Sequence, residues 1–222
     1  MKRLFKLNLS FLTLLLPGFL LTAAPVAEFW RFDRLDRIGS HPATLVGHPH
    51  LIKTSRGRAI EFNARDDAIF LDVHPLAGAQ AFTWEIVFRP DAAGPAEQRI
   101  FHLQEAGSDN RLLFEIRVIG DQWCLDSFAK TGDASRALLD RTKLHPLGRW
   151  YTAAAVYDGR EFRNYVDGVI QGAGELHLAP LKAGGASIGV RFNKVDYFKG
   201  AFFSARMTPR ALQPAQFLKS GF

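Results

Sequence analysis

The sequence predicts an all-β chain built as a two-sheet antiparallel β-sandwich, and three observations predict it. Short apolar segments alternate with polar residues at a period of two, Gly, Asp, Asn and Pro separate them, and almost nothing repeats at helical spacing. The one cysteine among 222 residues, Cys124, cannot form an internal disulfide, so the core must supply the stability. That leaves Cys124 a structural role as a small buried or edge residue, since no local signature of a nucleophile surrounds it.

The elements follow in order. Lys2, Arg3 and Lys6 precede a mainly apolar run over residues 7–21, interrupted by Asn8, Ser10, Pro17 and Gly18, and then the small residues Ala23, Ala24 and Ala27. This is the layout of a secretory signal peptide, and the run is shorter than the ~20 residues that span a bilayer as a helix. Residues 1–23 are therefore expected to be a leader cleaved between 23 and 27. Residues 24–222 are expected to form one domain of a secreted or periplasmic protein with no stable membrane span after processing. Without the leader's three basic residues the formal net charge falls from +6 to about +3. No block of Lys and Arg stands out, which excludes nucleic acid as the leading partner.

Residues 82–89 place Phe82, Trp84, Ile86 and Phe88 on one face and Thr83, Glu85 and Arg89 on the other, the mark of a half-buried strand. Residues 112–118 repeat it, with Glu115 and Arg117 opposite the apolar face, and Gly120-Asp121 turns the chain into 122–128 as a hairpin. In that second strand Trp123 alternates with Leu125 and is expected in the core. The densest signal is 150–171, with two Asp-Gly pairs, Asp158-Gly159 and Asp167-Gly168, that supply the positive φ of tight turns. Between them Phe162, Asn164 and Val166 share one side, and Arg163 and Tyr165 the other. Further strands are expected at 28–33, 43–53, 58–63, 68–73, 98–104, 136–140, 175–181, 186–192 and 198–207.

Several stretches, in this order, resemble the laminin-G-like and concanavalin A-like jelly-roll domains of exported proteins. They are Phe29-Trp30-Arg31-Phe32-Asp33, Ala59-Ile60-Glu61-Phe62, the Phe82 strand, and the meander from Trp150 through Tyr157-Asp158-Gly159 to Tyr165-Val166-Asp167-Gly168. Ser187-Ile188-Gly189, Phe198-Lys199-Gly200 and the closing Pro209-Arg210-Ala211-Leu212 complete the series. The resemblance covers most of the mature chain. It implies two curved antiparallel sheets with a ligand groove on the concave one, and sugars, glycosaminoglycans or proteins as partners. It also leaves calcium open as a cofactor, although Asp36-Arg37-Ile38-Gly39-Ser40 stands where members carry Asp-x-Ser-Gly. The local pairs Asp33 with Asp36 and Asp66 with Asp67 supply fewer than the six to eight oxygens calcium takes.

Three function classes remain. The first, favoured here, is a non-catalytic recognition domain for a polysaccharide or cell-surface glycan. Tyr165, Arg163, Glu85, Glu115 and Arg117 are its candidate ligand residues, because polar residues and exposed rings opposite the apolar faces are what a sugar can meet. The second is a polysaccharide-degrading hydrolase or lyase using Glu85, Glu115 and His102. No strand carries the alternating carboxylates that glycosidases of similar fold use, and an all-β chain lacks the strand-to-helix turn on which a serine hydrolase sets its nucleophile. The third is a structural or adhesive module with a protein partner.

Overall fold

The computed structural model describes residues 26–221; the leader expected at residues 1–23 lies outside them. In chain order the strands are β1 (Glu28–Arg31), β2 (Arg37–Ile38), β3 (His41–Pro42), β4 (Thr44–Val46), β5 (His50–Thr54) and β6 (Gly57–Asn63). Next come β7 (Ala68–Leu71), β8 (Phe82–Pro90), β9 (Glu97–Glu105), β10 (Arg111–Ile119), β11 (Gln122–Thr131) and β12 (Ala134–Leu139). The last are β13 (His145–Pro146), β14 (Tyr151–Tyr157), β15 (Glu161–Val166), β16 (Val169–Glu175), β17 (Gly184–Ile188) and β18 (Lys199–Thr208). A short 3-10 turn, Pro214–Gln216, follows in the C-terminal tail.

The strands form two antiparallel eight-stranded sheets and one small hairpin, β2 with β3. Sheet I runs β16-β15-β14-β8-β18-β6-β5, with β1 also on β18. Sheet II runs β12-β11-β10-β9-β17-β7-β4, with β13 on β11. Strand β18 is the hub of sheet I: it pairs along its length with β8, and on its other side with β6 near its start and β1 near its end.

The inward residues are those the alternation predicts. Trp84 and Phe88 of β8 meet Phe114 of β10 and Trp123 of β11 across the two sheets, with ring centroids 4.3 and 5.2 Å apart. Trp30 reaches Phe101 at 5.6 Å. These rings are fully buried, and such pairs add about 0.5–1.5 kcal/mol each to the gain from area burial. Asn164 is a polar residue inside this core, held by the Ser127 hydroxyl and the Leu138 carbonyl, both at 3.1 Å. Cys124 is buried and free, on the outward side of β11 beside Arg117.

The two Asp-Gly turns differ. Asp167 and Gly168 both take positive φ and join β15 to β16 as a two-residue turn. At Asp158-Gly159 only the glycine does; the Asp158 carboxylate instead accepts the Arg160 and Glu161 amides at 3.0 and 2.8 Å. Three strand expectations need correcting. Residues 43–53 are not one strand, because Gly47 at φ +69° breaks the run and sends β4 to sheet II and β5 to sheet I. Residues 175–181 lie mostly past β16 as an extended loop held by buried Leu176 and Leu181. The strand expected at 186–192 stops at Ile188, where Gly189 takes φ +80°.

The outward face of sheet I is not open. The chain after β18 folds back over it, burying Leu212 and Phe217 against Ala154, Val156 and Tyr165, and packing Leu218 beside Val87 and Phe203. Thr83 pins this tail by accepting the Leu212 amide and donating to the Arg210 carbonyl, both at 2.8 Å. Among the described residues no helix is long and apolar enough to cross a membrane.

Candidate functional site

The outward face of sheet II collects the chemistry. Strand pairing aligns its residues in rows. One row runs Leu139, Asp126, Glu115, Arg99 across β12, β11, β10 and β9. The next runs Ala137, Phe128, Leu113, His102, Ser187, Phe70, and reaches β7. The third contains Lys130, Arg111 and Gln104. Residues 189–198 fold over the β9 and β17 side of this face: the Arg99 amide donates to the Asp196 carbonyl at 2.8 Å, and the Phe192 amide donates to His102 Nδ1 at 3.3 Å.

The first row is a buried ion network. Arg99 Nε lies 2.5 Å from Glu115 Oε1, and its Nη2 lies 3.2 Å from Asp196 Oδ2. Arg117, beside that row, donates from Nε and Nη2 to Asp126 Oδ2 at 2.9 and 2.6 Å, and from Nη2 to Glu115 Oε2 at 3.5 Å. Its Nη1 is paired with Glu97. Arg99, Glu115 and Asp126 are all under a tenth exposed. Burial pushes the Glu115 carboxyl up to about 7; the Arg99 charge opposes this and the Asp126 carboxylate adds to it. A network like this adds little net stability over apolar packing, because desolvation offsets the attraction. What it does give is fixed geometry, with each carboxylate and guanidinium locked by its neighbours.

The second and third rows are different in kind. His102 is 1% exposed, and because its Nδ1 accepts the Phe192 amide, its Nε2 carries the proton, with no acceptor among the described residues. Burial, then the charges of Arg191, Arg111 and Arg99, drive its pKa down to about 3, so the ring is neutral. Around it lie half-buried rings: Phe192 edge-on to His102 at 4.9 Å, Phe70 at 5.8 Å from Phe192, and Phe128 under the Arg111 guanidinium at 4.8 Å.

The structure divides the residues that the sequence nominates. Glu115, Arg117 and His102 come together here. Glu85, Arg163 and Tyr165 are on the outward face of sheet I, across the core from them, so Glu85, Glu115 and His102 do not form one cleft. Glu85 is fully buried beneath the tail, where Arg206 donates to it at 2.6 and 3.0 Å and the Leu218 amide at 2.6 Å. Tyr165 is 8% exposed and packs edge-on against Phe217 at 5.2 Å. Arg163 is committed to Asp158 and Glu161, both at 2.5 Å. The reason is common to all three: alternation identifies an outward face but not which sheet owns it, nor what covers it.

Sequence reasoning missed Asp126, Arg99, Arg111 and Arg191. Asp126 had a signal, since a two-residue turn at Gly120-Asp121 sets it opposite Glu115. Arg99 had none, because a register shift in β9 between its pairs with Phe114 and Glu115 puts both Ile100 and Phe101 inward. Arg191 lies in a loop and carries no periodicity. As for calcium, among the described residues no group of three or more His, Cys, Asp or Glu side chains is placed to hold a metal ion. Asp67 accepts the His48 amide at 2.7 Å, and Asp66 accepts from Asn63 at 2.7 Å, as turn-forming residues do.

Comparison with known proteins agrees with this architecture. No curated protein matches the chain in sequence. Among solved structures, it is similar to domain 4 of AbnA, a GH43 extracellular arabinanase from Geobacillus stearothermophilus, solved with arabinotriose. The TM-score is 0.64 at 18% identity, covering 85% of this chain and 94% of that one. It is also similar to the receptor-binding domain of botulinum neurotoxin D (TM-score 0.61, 9% identity, 84% of this chain and 50% of that one). The binding domain of botulinum neurotoxin DC in complex with SialylT gives 0.63 at 7% identity, covering 85% and 49%. The chain thus spans about half of each toxin fragment, and at these identities the likeness is one of fold. Residues 63–217 match the Laminin_G_3 family, and the chain therefore belongs to this family of the concanavalin A-like lectin/glucanases superfamily.

Proposed function

We propose that this chain is an exported, non-catalytic recognition domain that binds a polysaccharide or cell-surface glycan on the outward face of sheet II. One observation carries the reading: a preorganised set of polar groups, the buried Arg99, Glu115 and Asp126 with the half-buried Arg117, lies in rows beside the half-buried rings of Phe70, Phe128 and Phe192. Polar groups fixed in advance and flanked by apolar rings are what orient a sugar, whose hydroxyls need partners and whose C–H faces need apolar contact. The similar arabinanase domain was solved with a sugar and the toxin domain with SialylT, which supports a glycan as ligand class. The N-terminal basic, apolar and small-residue order supports export.

A second reading rests on Glu115. A buried carboxyl poised near 7 beside a second carboxylate, Asp126, is the pairing that general acid-base chemistry on glycosides uses.

One screen tests both. The protein is passed over immobilised neutral and acidic polysaccharides while reducing ends and unsaturated products are monitored. The expected result is retention without product. Product that disappears in Glu115→Gln makes the domain an enzyme, and silence in both channels removes the glycan reading in favour of a protein partner.

A further inference from the structure

The face of sheet II is electrostatically divided, and the division specifies the ligand further. On one half every arginine has carboxylate partners: Arg99 has Glu115 and Asp196, with only its Nη1 buried and unpartnered among the described residues, and Arg117 has Asp126, Glu115 and Glu97. On the other half donors outnumber acceptors. Arg111 spends Nη1 on the Asp109 carbonyl at 2.7 Å and lies 3.8 Å from the exposed Asp109 carboxylate, which also pairs with Lys130. Its Nε is buried and has no hydrogen-bond partner among the described residues. The Arg191 side chain makes no ion pair or hydrogen bond among the described residues, and its charge acts on Arg111, on His102 and, across the boundary, on Glu115. Both charges act on His102, whose Nε2–H is buried and without an acceptor among the described residues.

A buried donor left without an acceptor costs about 1–3 kcal/mol. Two guanidiniums acting on one such donor raise that cost, and an anion removes it. We propose that the His102, Arg111 and Arg191 corner holds the acid group of an acidic sugar, its oxygens accepting from His102 Nε2–H and from the two guanidiniums. The inference rests on the glycan reading above and narrows it to saccharides bearing a carboxylate or a sulfate. Phe192 and Phe70 are the apolar wall against which the ring carrying that group would lie. Charge-assisted contacts to an oxyanion are about twice as strong as neutral ones, so the acid group, more than the hydroxyls, would dominate selection.

Affinity electrophoresis of the whole protein tests this with polymers matched except for charge: polygalacturonate against its methyl ester, and dextran sulfate against dextran. The expected result is retardation by at least one charged polymer and not by its uncharged match. The pair that responds identifies carboxylate or sulfate as the group bound. Arg191→Gln, in a loop and without a side-chain hydrogen bond or ion pair among the described residues, is expected to weaken that retardation about tenfold, equivalent to about 1.4 kcal/mol. Arg111→Gln should do the same, with thermal unfolding run alongside to separate loss of binding from loss of fold. Equal retardation by charged and uncharged partners overturns the inference and leaves the glycan reading standing. Retardation that neither substitution changes also overturns it, assigning the effect to net charge elsewhere. If no polymer, including neutral arabinan, retards the protein, the glycan reading fails as well.

Discussion

Alanine at Gly200 is expected to leave the protein more than about 4 kcal/mol less stable in chemical denaturation, or unable to fold. Gly200 opens the hub strand β18 at φ +143°, a backbone conformation that side-chain-bearing residues rarely adopt. A Cβ there would stand well inside van der Waals contact with the Arg89 carbonyl oxygen, and 2.7 Å from Phe198 Cζ. Neither neighbour can yield. The carbonyl belongs to the ladder between β8 and β18, where Ala201 pairs with Arg89, and the Phe198 ring is stacked on Phe202 at 4.6 Å in the core. Relief would require moving the strand that joins β8, β6 and β1, and costs above 4 kcal/mol belong to such backbone and overpacking defects. Gly107→Ala is the comparison: its φ is +70° but nothing lies within 4 Å of the added carbon, so the loss there should be about 1 kcal/mol. Equal losses at the two positions would show that the φ angle alone, and not the close approach, sets the cost.

Glu85→Ala is expected to cost about 3 kcal/mol and to free the C-terminal tail. The Glu85 carboxylate is fully buried and accepts three hydrogen bonds, two from Arg206 and one from the Leu218 amide. Arg206 also donates to the Gln216 carbonyl at 2.6 Å, so one ion pair fastens β8, β18 and the tail together. Removing the acid leaves the Leu218 amide without an acceptor and a partly buried guanidinium with only the Gln216 carbonyl, and breaking a buried pair from one side is the costly way to lose it. Denaturation should show the loss, and limited trypsin digestion should show faster cleavage at Arg210 and Lys219. Glu85→Gln keeps an acceptor for Leu218 and should fall between. Unchanged digestion in the alanine variant would mean that Leu212 and Phe217 hold the tail without the ion pair.

Most of the fold is legible in the sequence because each strand is half-buried and writes its burial at a period of two. The alternation of Phe82, Trp84, Ile86 and Phe88 survives intact in β8, and that of Leu112, Phe114 and Ile116 in β10. What alternation cannot carry is strand order. Glu85 and Glu115 have the same local pattern, yet β8 and β10 belong to different sheets, and that assignment depends on pairings between residues more than a hundred positions apart, such as Arg206 with Glu85. The cover over Tyr165 was equally invisible, since Phe217 lies in a tail with no periodic signal. In the candidate site, Asp126 could be read from hairpin register, whereas Arg99 depends on a bulge and Arg191 on loop geometry.

The central claim, that the outward face of sheet II is the binding surface, is tested most directly by hydrogen-exchange mapping of the protein with and without an oligosaccharide found by the screen. Added protection is expected in β9, β10 and β11 and in residues 189–198, and none in the tail after Thr208. Protection confined to the tail and the outward face of sheet I, around Glu85 and Tyr165, would contradict it.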